Sequence, residues 1–402
     1  MKYIVLFLLV VFNTAIFPQS GWQQQSSGTS STLLGAVNAG PNLAFVCGIN
    51  GIVLKSTNSG SNWIALATGT TRFLRSITSA DEGIIFTAGE LGTILRSTNN
   101  GANWLSLSSG TNNTFVNIDF SDPQNGTAVG LNGVIQRTTN GGNNWFSQNS
   151  GVNLELTGVF FVNNFTGFVS GFSGTILKTT NGGSNWFSLT AGTSNDLRAI
   201  CFADENTGIA CGMSGKILRT TDGGSNWITV TPVTSNGLFS VTYAGMSLFI
   251  CGTNVIIRSA NGGLNWETQP AAVSGDLYSI SFFDSQNGIT AGQNGMILKT
   301  TSGGIGIMQI SSVIPGKFSL EQNYPNPFNP TTRIRFEISS YSNVMIEIFD
   351  ATGETAVKPV SDYLEPGVYE VKLDGTAMSS GVYFCRLTAG SNSDAIKMIL
   401  SK

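Results

Sequence analysis

The sequence predicts an all-β chain: a seven-bladed β-propeller whose N-terminal strand closes the last blade, followed by a small Ig-like β-sandwich. Three observations carry this. All seven tryptophans, Trp22, Trp63, Trp104, Trp145, Trp186, Trp227 and Trp266, stand on one ladder with gaps of 41, 41, 41, 41, 41 and 39 residues. A period near 40 with strand-like content is that of a four-stranded propeller blade. The turn before each Trp is respelled, as in "TTDGGSNW" at Thr220–Trp227 and "TTNGGSNW" ending at Trp186, and past Gly304 the ladder gives way to a different alternation.

One unit shows the blade. "RFLRSITS" (Arg72–Ser79) reads as the innermost strand, a. "IIFTAG" (Ile84–Gly89) is strand b, "TILRST" (Thr93–Thr98) strand c and "NWLSL" (Asn103–Leu107) strand d. β-Branched and aromatic residues fill the strands, and Gly, Asn and Asp fill the turns. In G-x-x-G-x-[IV], as at Gly89–Ile94, the glycines are expected to hold a tight b–c turn at positive φ. In [ST]-x-[DN]-x-G-x-x-W the Asx residue, Asp222 in one copy, is expected to accept N–H groups of its own turn, while the Trp packs between blades.

The last unit has strands a, b and c ("DLYSISFF", "GITAGQ", "GMILKTT") and no strand d. One spare strand d, "GWQQQ" at Gly21–Gln25, lies 41 residues before Trp63. The N-terminal strand is therefore expected to complete the last blade, leaving no open sheet end. The propeller is placed at residues 21–304, a linker at 305–317 and the sandwich at 318–402. Residues 1–20 read as an export signal, with Lys2 followed by ten apolar residues, Tyr3–Phe12, against the ~20 that span a bilayer. No other segment predicts a membrane span.

Composition narrows the function. The chain has no histidine, which removes the commonest general base and most zinc sites. A formal charge of −3 argues against nucleic acid as a partner. No catalytic residue, metal or cofactor is assigned. Cys47, Cys211 and Cys251 occupy a repeat slot held elsewhere by Ala88, Val129, Ser170 and Ala291, so they read as packed thiols.

Seven cations repeat at one strand-c position: Lys55, Arg96, Arg137, Lys178, Arg219, Arg258 and Lys299. Sevenfold repetition points to structure, by salt links or stacking on the blade tryptophans. Arg72, Arg75, Arg198 and Lys216 break the pattern. The first three open innermost strands, facing the central mouth, with Phe73, Glu155, Asp196, Phe239, Asp276 and Tyr278 nearby. The b–c turns on that face add Ile49, Leu91, Leu131, Phe172 and Met213. Arginine and aromatic residues around a mouth suit partner binding. The partner-binding set is Arg72, Phe73, Arg75, Phe172, Asp196, Arg198, Met213, Phe239 and Tyr278.

The respelled turn resembles the Asp-box (BNR) repeat of sialidases and sortilin-like receptors. The fuller unit "GxxGxILRTTDGGSNW" is similar to the repeat of the photosystem II stability and assembly factor family, which implies a seven-bladed propeller. The C-terminal strings resemble the type A sorting domain of the bacterial type IX secretion system, through Tyr324-Pro325-Asn326-Pro327-Phe328, Phe349-Asp350 with Gly353, Gly367-Val368-Tyr369, Ser380-Gly381-Val382-Tyr383-Phe384 and Lys397. That resemblance implies Sec export, passage through the outer membrane by type IX machinery, removal of the domain, and release or anchoring at the exterior of a Gram-negative cell.

The expected function is a secreted or cell-surface propeller that binds a protein or glycan on its top face and is not an enzyme. A structural envelope or matrix component is the alternative. A sialidase-like hydrolase would need Arg72, Arg75, Arg198, Tyr278 and Glu155 assembled as one site, yet Arg72 and Arg75 share a blade where that family draws its arginines from different ones.

Overall fold

The computed structural model describes residues 18–402 except 246, 270, 272, 273 and 377. Residues 1–17 of the predicted export signal lie outside the described residues. The four strands expected for the second unit are found as Leu74–Asp81, Ile84–Gly89, Ile94–Ser97 and Leu105–Leu107, paired antiparallel in that order. Five more sheets of four consecutive strands share this plan. A further sheet is built from Leu277–Phe282, Gly288–Gly292 and Ile297–Ser311, and its fourth strand is Pro18–Gln25 from the N-terminus. Gln23, Gln24 and Gln25 pair with Lys299, Leu298 and Ile297.

The ring closes between this sheet and the first. Ala36 N–H and Asn38 N–H donate to Ser279 Oγ and Ser281 Oγ, each at 3.0 Å, and Asn38 Nδ2 donates to Ser281 O at 2.7 Å. Among the described residues, seven innermost strands thus surround a central channel. We number the blades one to seven from Leu33–Asn38 onward.

Each Trp sits in a core shared by two blades. Trp145 meets Phe120 edge-on at 6.0 Å, and Phe120 stacks at 4.0 Å on Phe86 of the preceding blade. Trp227, Phe202 and Phe168 repeat the arrangement, as do Trp22, Phe282 and Phe249. Edge-to-face and offset aromatic pairs add ~0.5–1.5 kcal/mol beyond area burial. The turn Asx residues act as expected. Asp222 Oδ1 accepts Asn226 N–H at 2.8 Å, and Asn58, Asn99, Asn140, Asn181 and Asn261 do the same at 2.9 Å.

Two expectations need correction. In the six b–c turns that carry two glycines, only the second takes positive φ; blade six has Val255 at that place. Gly92 has φ +68°, whereas Gly89 is extended at −174° and is required because a Cβ there would lie 1.9 Å from Phe73 O. Nor is stacking on tryptophan the main device of the strand-c cations, although Arg258 does make a salt link, to Glu267 at 3.4 Å. Lys55, Arg96, Lys178 and Arg219 donate to the carbonyls of Asn100, Gly141, Gly223 and Gly262 at 2.6–2.8 Å, and Arg137 to that of Gly182. Each therefore clamps the tryptophan turn of the next blade. Lys55, Lys178 and Arg258 also lie over Phe45, Phe168 and Phe249, phenylalanines of strand b.

The residue before the turn glycine is left-handed as well. It is Asn or Ser in the other five such turns, but in blade two it is Leu91, at φ +51° and more than half exposed. Asn tolerates this region far better than an aliphatic residue. Leu91→Asn is expected to raise stability by about 0.5–1 kcal/mol, read as a higher midpoint in denaturant; a lower midpoint would contradict this reading of the turn.

The five cysteines are free and buried, as packed thiols require. The C-terminal module is a sandwich. One sheet holds Ser319–Leu320, Thr331–Ile338 and Gly367–Asp374, and the other orders Thr355–Leu364, Ser342–Asp350, Gly381–Ala389 and Asn392–Leu400. Thr355–Leu364 was not legible as a strand because Pro359 interrupts it. Pro is tolerated here because the strand is at an edge and the pairing shifts register around residue 359, between Val357 and Val360. The residues read as a linker differ too: Ile297–Ser311 is one strand that continues past Gly304, and its end pairs with Gly367–Asp374, Ile307 opposite Val371.

"NYPNPF" clasps the last strand. Asn326 Oδ1 accepts Ile399 N–H at 2.8 Å, Phe328 N–H donates to Ile399 O at 2.9 Å, and Phe328 is buried in the sandwich core. The two Gly-Val-Tyr copies are a shared device: Tyr369 and Tyr383 each donate their hydroxyl to the carbonyl four residues upstream, at Glu365 and Ser379.

Candidate partner-binding site at the channel mouth

Every innermost strand begins with the same irregularity. In blade two Leu74 pairs with Gly89 and Ser76 with Ala88, so Arg75 is an extra, unpaired residue; the other six strands show the same shift. A β-bulge re-aims its side chain. Here it turns seven residues, Leu34, Arg75, Val116, Thr157, Arg198, Phe239 and Tyr278, onto the wall of the central channel, a cavity of about 550 Å³.

The predicted residues divide accordingly. Arg75, Arg198, Met213, Phe239 and Tyr278 line the channel together. Phe239 and Tyr278 stack with ring centroids 5.5 Å apart. Arg198 lies 3.9 Å from Glu155 and over the ring of Phe172 at 4.7 Å, which ties Phe172 to the rim. The Tyr278 hydroxyl donates to Asp276 Oδ2 at 3.2 Å and accepts from Gln293 Nε2 at 3.3 Å. Desolvation, with the Asp276 carboxylate adding to it, raises its titration point, so it stays a neutral phenol.

Three residues serve elsewhere. Arg72 is exposed and bonds its own b–c turn, to Leu91 O at 3.4 Å and Thr93 Oγ1 at 3.2 Å. Phe73 is half-buried, with its N–H donated to Glu90 Oε2. Asp196 accepts Ser173 N–H at 2.9 Å, bracing the turn of blade four. Arg72, Phe73, Phe172 and Asp196 are not part of the channel wall, and the three off-pattern arginines do not converge.

Part of the chain matches known families. Residues 103–193 match the model of the photosynthesis system II assembly factor YCF48. Residues 322–401 match the model of the secretion system C-terminal sorting domain. No curated protein matches the sequence. The structure is similar to that of YCF48 bound to a D1 peptide, with a TM-score of 0.61 at 19% identity over 72% of this chain and 99% of that one. It is similar to YCF48 from Cyanidioschyzon merolae, with a TM-score of 0.59 at 22% identity over 69% and 98%. The WD40 propeller domain of Doa1 scores 0.60 at 11% identity over 70% and 96%. At these identities the likeness shows the propeller fold, which leaves function to the site's own residues.

One channel residue escaped the sequence reading. Asp119 follows the bulge of blade three by three positions and lines the channel, half-buried. The matching residues of other blades are Val37, Thr78, Phe160, Cys201, Thr242 and Ser281, so aligning the innermost strands exposes it as the one charged member. Burial pushes its carboxyl up to about 6, against the Phe161 N–H at 2.9 Å, which favours the ionised form.

The folded value lies above the unfolded one, so folding retains a proton between these values. The stabilising contribution is full below pH ~4 and is lost as pH rises through about 6. Asp119→Asn is therefore expected to stabilise the chain by about 1–2 kcal/mol at pH 7.5 and by little at pH 4. Denaturant midpoints at the two pH values check this; an equal shift at both would contradict it.

Proposed function

We propose that this chain is an exported binding protein that takes a peptide, protein or glycan partner at the mouth of the propeller channel and performs no chemistry on it. The observation that carries the reading is the bulge ring. It gathers one residue per blade and breaks the repeat there with Arg75, Arg198, Phe239 and Tyr278. Rigid aromatic and arginine side chains in a concave site are the usual anchors of recognition. A solved YCF48 propeller holds a peptide, which supports a protein partner. The sorting-domain match supports delivery by type IX secretion to the cell surface or medium. The neutral, doubly bonded Tyr278 and the dispersed arginines favour binding over sialidase-like hydrolysis.

The test is to screen the full chain on peptide and glycan arrays beside an Arg75→Ala/Arg198→Ala/Tyr278→Ala variant of equal melting temperature. Saturable binding weakened about 30-fold or more in the variant is expected, since truncated anchors each cost ~1–4 kcal/mol. Binding that the variant retains, or none at all, would overturn the mouth as the site and leave the structural envelope role.

A further inference from the structure

The channel wall carries four charged side chains: Arg75, Asp119, Glu155 and Arg198. Two of them engage each other, Arg198 with Glu155 at 3.9 Å, and Arg198 is further held over Phe172. That leaves one charge of each sign. Among the described residues Arg75 has no ion-pair partner, and its Nε is buried without a hydrogen bond. Asp119 accepts a backbone N–H and faces no cation within ion-pair distance. The two belong to adjacent blades. Arg75 is at the bulge and Asp119 three residues beyond the bulge of its own strand, a separation of ~10 Å along the channel at 3.3 Å per residue. They do not neutralise each other across it. Both charges are kept partly desolvated in one cavity, which is costly without a counter-ion.

We infer that the channel binds a zwitterionic end group, a C-terminal lysine of a partner polypeptide, with its carboxylate on Arg75 at the mouth and its ε-ammonium on Asp119 inside. This rests on the channel being the binding site. The lysine carboxylate and ammonium are about 7 Å apart when extended, at ~1.25 Å advance per bond. With a hydrogen bond of ~2.8 Å at each end the reach is about 12–13 Å, which covers the ~10 Å axial offset together with the sideways step between the adjacent innermost strands. Ile77, Ile118 and Phe160 supply apolar wall for the methylene stem. The ligand adds one charge of each sign, so the complex leaves none unpaired. Free lysine carries the same two groups plus an α-ammonium, which would sit beside the cationic Arg75 guanidinium.

Calorimetry on the full chain tests this with acetyl-Gly-Gly-Lys, its C-terminal amide, acetyl-Gly-Gly-norleucine and free lysine. The acid peptide is expected to bind, and amidation or the norleucine exchange to weaken it about tenfold or more. Arg75→Gln is expected to erase the difference between acid and amide, and Asp119→Asn that between lysine and norleucine. Free lysine is expected to bind more weakly than the peptide. Equal binding of the lysine and norleucine peptides, or tighter binding of free lysine, overturns the proposal. If no lysine peptide binds while array ligands are lost in the triple variant, the lysine assignment falls and the channel site stands. If array binding survives that variant, both fall.

Discussion

Deletion of Pro18–Gln25 is expected to abolish cooperative unfolding of the propeller. The segment is eight residues of a 402-residue chain, yet it supplies the outer strand of blade seven and, in Trp22, a core side chain only 2% exposed. Without it Ile297–Ser311 loses hydrogen bonds along one edge, and Phe249 and Phe282 lose the ring that packs edge-on against both. An open edge is also a template for association with another chain. Trp22→Ala isolates the packing part and should cost ~3–5 kcal/mol, with the backbone pairing kept. The deletion is expected to leave a non-cooperative, aggregating species that is rapidly degraded in limited proteolysis. A deleted chain that melts cooperatively near the wild-type temperature would show that the ring does not need its N-terminal strand.

The second large effect separates two glycines with nearly the same backbone. Gly51 and Gly69 have φ of +68° and +75°. A Cβ on Gly69 meets nothing within 4 Å, whereas one on Gly51 would lie 1.9 Å from Thr70 O and 2.7 Å from Thr70 C. Gly69→Ala should therefore lose only the left-handed preference, ~1–2 kcal/mol. Gly51→Ala adds a clash with backbone that no rotamer relieves, and more than ~4 kcal/mol is expected. Denaturant midpoints of the two variants decide it. Equal losses would mean that the turn tolerates a shift of the Thr70 peptide.

Much of this architecture was legible because it repeats. The tryptophan ladder sets the blade period, and the orphan Trp22 set against a missing final strand predicts the closure. The sequence also marked Arg75, Arg198 and Tyr278, because a departure from a repeat is visible without coordinates. What it hid depends on register. The bulge after Leu74 decides that Arg75 lines the channel while Arg72, three residues earlier, folds back on its own turn. A one-residue shift reverses which side of a strand a residue faces, and no local signal marks it. The strand-c cations were seen as structural, but their acceptors are carbonyls some 45 residues away in the next blade, where side-chain identity leaves no trace. Asp119 was not singled out, because its isolation from any cation is a property of the assembled ring.

On the proposed reading, partners bind where the bulge ring opens. A photo-crosslinking residue placed at Val116, on the ring, or at Ile228, an exposed outer-rim position, tests it most directly in the full chain with the strongest array ligand. A specific adduct is expected from position 116, competed by unlabelled ligand, and none from position 228. Adduct formation at 228 with none at 116 would contradict it and move recognition to the outside of the propeller.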